Sequence, residues 1–143
     1  MTMVMAVCIH LNQLTLAFVA ATETQGMAMR LISAPELKEK LDRGDRLKLV
    51  NALGDWEYWA AHIPGSLHFS TPEETLKALN RDDEIVVHCS NPSCLASVAL
   101  YQLLERNGYR NVRRFAGGLQ AWQQAGYPLE GTMVDAQGDG PRT

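Results

Sequence analysis

Cysteine is scarce in this chain: three in 143 residues, none of them in a C-x2-C pair. An odd, low count excludes a disulfide-stapled secreted domain and fits thiols kept in a reducing compartment, so a cytoplasmic location is expected. The missing C-x2-C pair leaves no recognised zinc pattern, and no metal is expected. No apolar run is long enough to cross a bilayer, which argues against a membrane partner. Basic residues form no stripe, and the net charge is -3 with a pI of about 5.8, which argues against a nucleic-acid partner. Internal repeats and low-complexity segments are also absent.

What remains is ordinary globular material, with 46% hydrophobic and 20% charged residues. The length fits one domain with a proper core, expected to be monomeric. Residues 1–29 read as an N-terminal extension of open role, with Glu23 their only charge. A start assigned too early, with Met27 or Met29 the true beginning, is favoured over a secretory signal or an extra ordered element, because the basic leader of a signal is missing. Cys8 has no partner motif around it and reads as an unreactive thiol. Residues 30–130 read as the domain, and 131–143 as a flexible C-terminal tail.

Strand and helix signals alternate along the domain. Ser33-Ala34-Pro35-Glu36 opens a helix with a capping box, and Gly44 ends it. Leu47–Val50 is a strand, and Trp56–Ala61 is a helical turn carrying aromatic residues. Leu67–Phe69 is a short strand, and Thr71-Pro72-Glu73-Glu74 opens a second capped helix running to about Leu79. Glu84–His88 is a strand, Leu95 to about Asn107 a helix, Asn111–Phe115 a strand with solvated arginines, and Leu119–Ala125 a last helix. The order predicts an α/β fold with a mostly parallel sheet and helices on both faces.

One stretch stands apart. The apolar run Ile85-Val86-Val87-His88 ends at Cys89, then Ser90-Asn91-Pro92-Ser93 leads through Cys94 into a helix. Strand, tight loop and helix start together make an anion cradle, because loop amides and the unsatisfied helical N–H groups converge there. A cysteine at that point is expected to ionise more easily than a free thiol, which makes Cys89 the candidate nucleophile. Cys94 has two readings: an apolar filler at the first helical turn, or a resolving thiol that attacks an oxidised or persulfidated Cys89.

Three spaced segments carry a family resemblance. His62-Ile63-Pro64-Gly65-Ser66 resembles the "GHIPGA" segment of rhodanese domains. Val86-Val87-His88-Cys89 resembles their strand into the catalytic loop, and Phe115-Ala116-Gly117-Gly118-Leu119-Gln120-Ala121-Trp122 with Gly126-Tyr127-Pro128 resembles their closing signature. The resemblance covers about residues 31–130. It implies a rhodanese-like fold and sulfurtransferase chemistry without cofactor or metal: Cys89 takes a sulfane sulfur as a persulfide and passes it to a nucleophile. It further implies that Ser90, Asn91, Pro92, Ser93, Cys94 and Leu95 line the substrate site. The expected partners are a small persulfide or thiosulfate donor and a thiol or protein acceptor.

Departures qualify the likeness. Asn51 and Leu53 stand where the family usually has Asp and Arg, and Ala61 where it has Gly. The loop carries no cation, and Cys94 stands where many relatives have Arg. The loop resembles a C-x-x-P-x-C subset, some members of which are fused to metalloid-responsive regulators. Without a charge-assisted hydrogen bond of about 1.5–3 kcal/mol, thiosulfate is expected to be a poor donor. Phosphatase or arsenate-reductase chemistry resembles a C-x5-R loop, and the sixth residue after Cys89 is Leu95, which disfavours it. A non-catalytic dithiol redox or soft-metal module using Cys89 and Cys94 stays open, as does a silent docking fold. His62 and His88 read as structural; Arg113 and Arg114 could lend positive charge to the rim of the cradle, with a solvated edge the favoured reading; Trp56, Trp59 and Trp122 read as packing.

Overall fold

The computed structural model describes residues 28–138. The expectations for residues 1–27, Cys8 among them, lie outside that range. Four strands, β1 (Leu47–Asn51), β2 (Leu67–His68), β3 (Glu84–His88) and β4 (Val112–Phe115), pair in parallel in the order β2-β1-β3-β4. Six helices accompany them among the described residues: α1 (Ala34–Asp42), α2 (Asp55–Ala60), α3 (Pro72–Ala78), α4 (Ala96–Arg106), α5 (Gly118–Gln124) and α6 (Thr132–Gly138). The α/β architecture with a parallel sheet expected from the sequence is the one observed.

β3 is the central strand because it is apolar on both faces, as strands covered by helices on both sides must be. Ile85 and Val87 join Val50, Tyr101, Leu104 and Val112 in one core; Val86 joins Leu49, Ile63, Phe115 and Trp122 in the other. Each buried side chain of this size contributes about 1.5–3 kcal/mol. The two cores clamp the C-terminal end of β3 from opposite sides, and Cys89 is the next residue.

Local signals set most helix starts. Ser33 Oγ accepts from the Glu36 amide at 3.3 Å, and Thr71 Oγ1 from the Glu74 amide at 3.2 Å. Glu74 reaches back to the Ser70 amide at 3.0 Å. Glu36 does not close its box: both its oxygens hold the Arg113 guanidinium at 2.8 Å, a bidentate pair stronger than the neutral alternative.

Three expectations need correction. The chain does not turn into a loose tail at residue 131. Gly131, at φ 139°, packs its Cα against the Ala60 carbonyl, Thr132 Oγ1 donates to the Trp59 carbonyl at 3.3 Å, and α6 follows. Arg114 does not sit on a solvated edge. Residues 30–32 lie along β4, with the Arg114 amide donating to the Arg30 carbonyl at 2.7 Å and the Ile32 amide to the Arg114 carbonyl at 3.1 Å, so β4 is covered. Trp56 and Trp59 are not packing residues: α2 turns Tyr58 inward, stacked between His62 and His68, and leaves the two tryptophans 73% and 63% exposed. Trp122 is packed as expected, its Nε1 donating to the Pro128 carbonyl at 2.8 Å.

His88 is fully buried, and its Nδ1 lies 3.2 Å from the Cys89 carbonyl. Burial pushes its pKa down to about 4, against a slight upward pull from that carbonyl. Unfolding restores a histidine that protonates near 6.5, so the unfolded chain binds the extra proton. Stability should therefore fall as pH drops from 6.5 toward 4, by up to about 1.4 kcal/mol per pH unit. Urea unfolding across that window should show this loss in the wild type and a smaller one in His88→Gln.

Candidate active site

Cys89 leaves β3 only 1% exposed, and the loop that follows folds back over it. Asn91 organises the loop: its Oδ1 accepts from the Ser93 amide at 2.9 Å and its carbonyl from the Cys94 amide at 3.1 Å. The start of α5 fixes the other side. The Leu119 amide donates to the Cys89 carbonyl at 3.0 Å and the Gln120 amide to the Ser90 carbonyl at 2.8 Å. Gly118, at φ 60°, makes this approach feasible; a Cβ there would overlap the Cys89 carbonyl oxygen and lie 2.8 Å from the Ser90 carbonyl carbon.

α4 begins at Ala96 with Leu95 as a cap that offers no side-chain acceptor. Its first amides are therefore unsatisfied within the helix. The two sulfurs meet them: the Ala96 amide faces the Cys94 sulfur, and the Ser97 amide faces the Cys89 sulfur. A helix N-terminus with two thiols in place of a capping oxygen favours their anionic forms.

The charge is not shared as expected. Burial pushes the Cys89 thiol up, as does its hydrogen bond to Cys94, while the Ser97 hydroxyl and amide hold it partly down. Cys94 is also raised by burial, but bonds from the Cys89 thiol, the Ala96 and Ser90 amides and the Ser90 hydroxyl outweigh that and leave it below the ordinary thiol range. The expectation that Cys89 ionises more readily than a free thiol is thus corrected. The amides of Ser93 and Cys94 are spent on Asn91, those of Ser90 and Ala96 go to Cys94, and Cys89 lies deeper.

On the inner side of the loop the less favoured reading of Arg114 returns, by a contact through Ser97 that the sequence did not suggest. Ser97 Oγ is 3.2 Å from the Cys89 sulfur and accepts from Arg114 Nε at 2.8 Å. Arg114 Nη2 donates to the carbonyls of Pro92 and Cys94, each at 3.4 Å. Arg114 is 8% exposed. The loop lacks a cation in sequence, yet β4 delivers one beside it. The signal was present: strand alternation puts Arg114 on the same face as the core residue Val112, and Arg113, paired with Glu36, on the other.

Of the remaining candidates, Ser90 and Asn91 are half-buried and Pro92, Ser93 and Leu95 border the loop, with Leu95 75% exposed. His88 points away from the sulfur, and His62 bonds the Tyr58 carbonyl at 2.8 Å and Glu130 at 3.1 Å, both remote from the loop. A cleft of about 620 Å³ lies beside α4, lined by Asn51, Leu53, His68, Ala96, Leu100 and others, and contains neither cysteine. Its Asp55, His68 and Ser70 form no relay, because His68 and Ser70 bond the same Asp55 oxygen. No cluster of three or more metal-ligating side chains occurs among the described residues.

The rhodanese-like domain family matches residues 33–125, and the chain belongs to that family. It is 29% identical over 123 residues to the HTH-type transcriptional regulator Rv0324 of Mycobacterium tuberculosis, covering 85% of this chain and 54% of the regulator. The chain therefore spans about half of that relative's length. It is 29% identical over 99 residues to Bacillus subtilis YtwF, named a candidate sulfurtransferase, covering 68% of this chain and 93% of YtwF. The solution structure of the rhodanese-like domain of Alr3790 from Anabaena sp superposes with a TM-score of 0.69 at 22% identity, covering 81% of this chain and 89% of that one. That likeness concerns the fold.

Gly118→Ala should expel the loop from its place. The backbone conformation alone costs about 1–3 kcal/mol, and the overlap with Cys89 adds to it. Thermal unfolding should drop accordingly, and amide exchange of Leu119 and Gln120 should quicken. An unchanged melting curve with protected amides would show that the loop does not depend on that contact.

Proposed function

We propose that the chain is a sulfurtransferase or persulfide carrier whose Cys89 holds the transferred sulfane sulfur. One observation carries the reading: in a chain of the rhodanese-like family, Cys89 ends the central strand with its sulfur 3.2 Å from a hydroxyl backed by a guanidinium. Such a setting stabilises an anionic sulfur, and a persulfide anion as much as a thiolate. The name of YtwF supports the same class.

The Cys89 thiolate attacks the sulfane sulfur of a persulfide donor, R–S–SH. A sulfur–sulfur bond forms, the donor's bond breaks, and RS⁻ leaves, giving Cys89–S–SH. An acceptor thiolate then takes that sulfur and restores the Cys89 thiolate. The residues Ser90 to Leu95 line the route, and no cofactor or metal enters. Arg114 is engaged with Ser97 and two carbonyls, so thiosulfate meets no cation within the loop itself and is a poor donor. The C-x-x-P-x-C loop marks the subset, and the setting is a cytoplasmic monomer.

A second reading rests on the nearness of the two cysteines, the Cys89 sulfur lying 3.4 Å from the Cys94 carbonyl and each thiol shifting the ionisation of the other. The Cys94 thiolate attacks the inner sulfur of the Cys89 persulfide, forming a disulfide and releasing HS⁻; an external thiol then reduces the disulfide. The free state of both cysteines fits a resting dithiol.

Incubation with cysteine persulfide or thiosulfate, followed by fragment mass spectrometry, tests the proposal. One sulfur atom should be added at Cys89, and Cys89→Ser should abolish it. Thiosulfate should load the protein at least about tenfold more slowly, the equivalent of the missing charged hydrogen bond. No sulfur on Cys89 from either donor would overturn the reading.

A further inference from the structure

We propose that Arg114 is a positioning residue for the reactive sulfur: acting through Ser97, its buried guanidinium supplies the positive charge that the loop lacks. The inference rests on Cys89 being the reactive sulfur. A guanidinium cannot shed its proton, so burying it without a counter-charge is costly. None of the ion pairs among the described residues involves Arg114, whereas its neighbour Arg113 holds a carboxylate in both hands. Arg114 instead spends its hydrogen bonds on Ser97 Oγ and the carbonyls of Pro92 and Cys94. The two carbonyls belong to the loop after Cys89, and the hydroxyl to the first turn of α4 beside its sulfur.

The hydroxyl makes the coupling directional. Ser97 has one proton and two lone pairs, and it is fully buried. Arg114 Nε–H occupies one lone pair at 2.8 Å. With Cys89 neutral, its one thiol proton has two acceptors in reach, the other lone pair at 3.2 Å and the Cys94 carbonyl at 3.4 Å. With Cys89 ionised, the hydroxyl turns its proton to the sulfur, and the bond from Arg114 makes that proton a stronger donor. The same arrangement suits the terminal sulfur of a persulfide anion.

Few other charges face this point. Cys94 is the titratable group on the loop. His88 points to the opposite face of β3 and bonds the Cys89 carbonyl. Arg113 is held by Glu36, Arg30 by the Arg110 carbonyl, and the Tyr101 hydroxyl by the Arg30 amide.

The test reads the pH midpoint of Cys89 alkylation by iodoacetamide in the full chain, resolved from Cys94 by fragment mass spectrometry. Arg114→Gln and Ser97→Ala should each move the Cys89 midpoint upward by about one unit, about tenfold slower alkylation at neutral pH. Arg114→Lys should recover most of the wild-type value. The double variant should be no worse than Ser97→Ala alone, because the charge acts through the hydroxyl. A structural role would lower the melting temperature and leave the midpoint in place, which overturns the proposal. Should Arg114→Gln fail to fold, Ser97→Ala carries the test, and an unchanged midpoint there overturns it equally. Alkylation needs no sulfur transfer. Shifted midpoints without persulfide formation would break the functional reading alone; persulfide formation with unshifted midpoints would break this inference alone.

Discussion

A positive group buried without a carboxylate has to be met by something else. Here it is met by a serine hydroxyl, two loop carbonyls and, beyond the hydroxyl, a sulfur. That requirement ties β4, the cysteine loop and the first turn of α4 into one unit. The parallel sheet brings the C-terminal end of β3 beside β4, so the arginine and the cysteine arrive together from distant parts of the sequence. Binding sites in such folds lie at strand ends for the same reason: helix starts and loop amides gather there.

The unit contains two sulfurs and too few donors to hold both as anions at once. α4 has no side-chain cap, and Cys94 and Cys89 face its first two amides. Charge placed on one sulfur opposes charge on the other, and the protonated partner becomes the donor that stabilises it. The half-exposed Cys94 is the easier of the two to ionise, and the buried Cys89 depends on Ser97 and Arg114. The ionisations of such a pair are linked, the charge on Cys94 raising the Cys89 thiol further.

Much of this was legible in the residues. The run Ile85–His88, the Thr71 cap and the Gly117-Gly118 turn are local signals, and local signals survive into the fold. The position of Cys89 between strand and helix was legible for the same reason. The direction of individual amides was not, because it depends on how Asn91 folds the loop onto itself. Arg114 looked solvated because nothing nearby in sequence announces that residues 30–32 cover β4. α6 was missed because its polar, glycine-flanked sequence gains its helix from contact with the end of α2 rather than from its own apolar stripe.

The central claim is that the two sulfurs share one anion site. The most direct measurement follows the ¹³Cβ shifts of Cys89 and Cys94 against pH by NMR, in the wild type and in Cys94→Ser. Cys94 should ionise first, below the ordinary thiol range, with Cys89 following above it; in Cys94→Ser the Cys89 midpoint should fall. Two independent titrations, with Cys89 unmoved by the loss of Cys94, would contradict it.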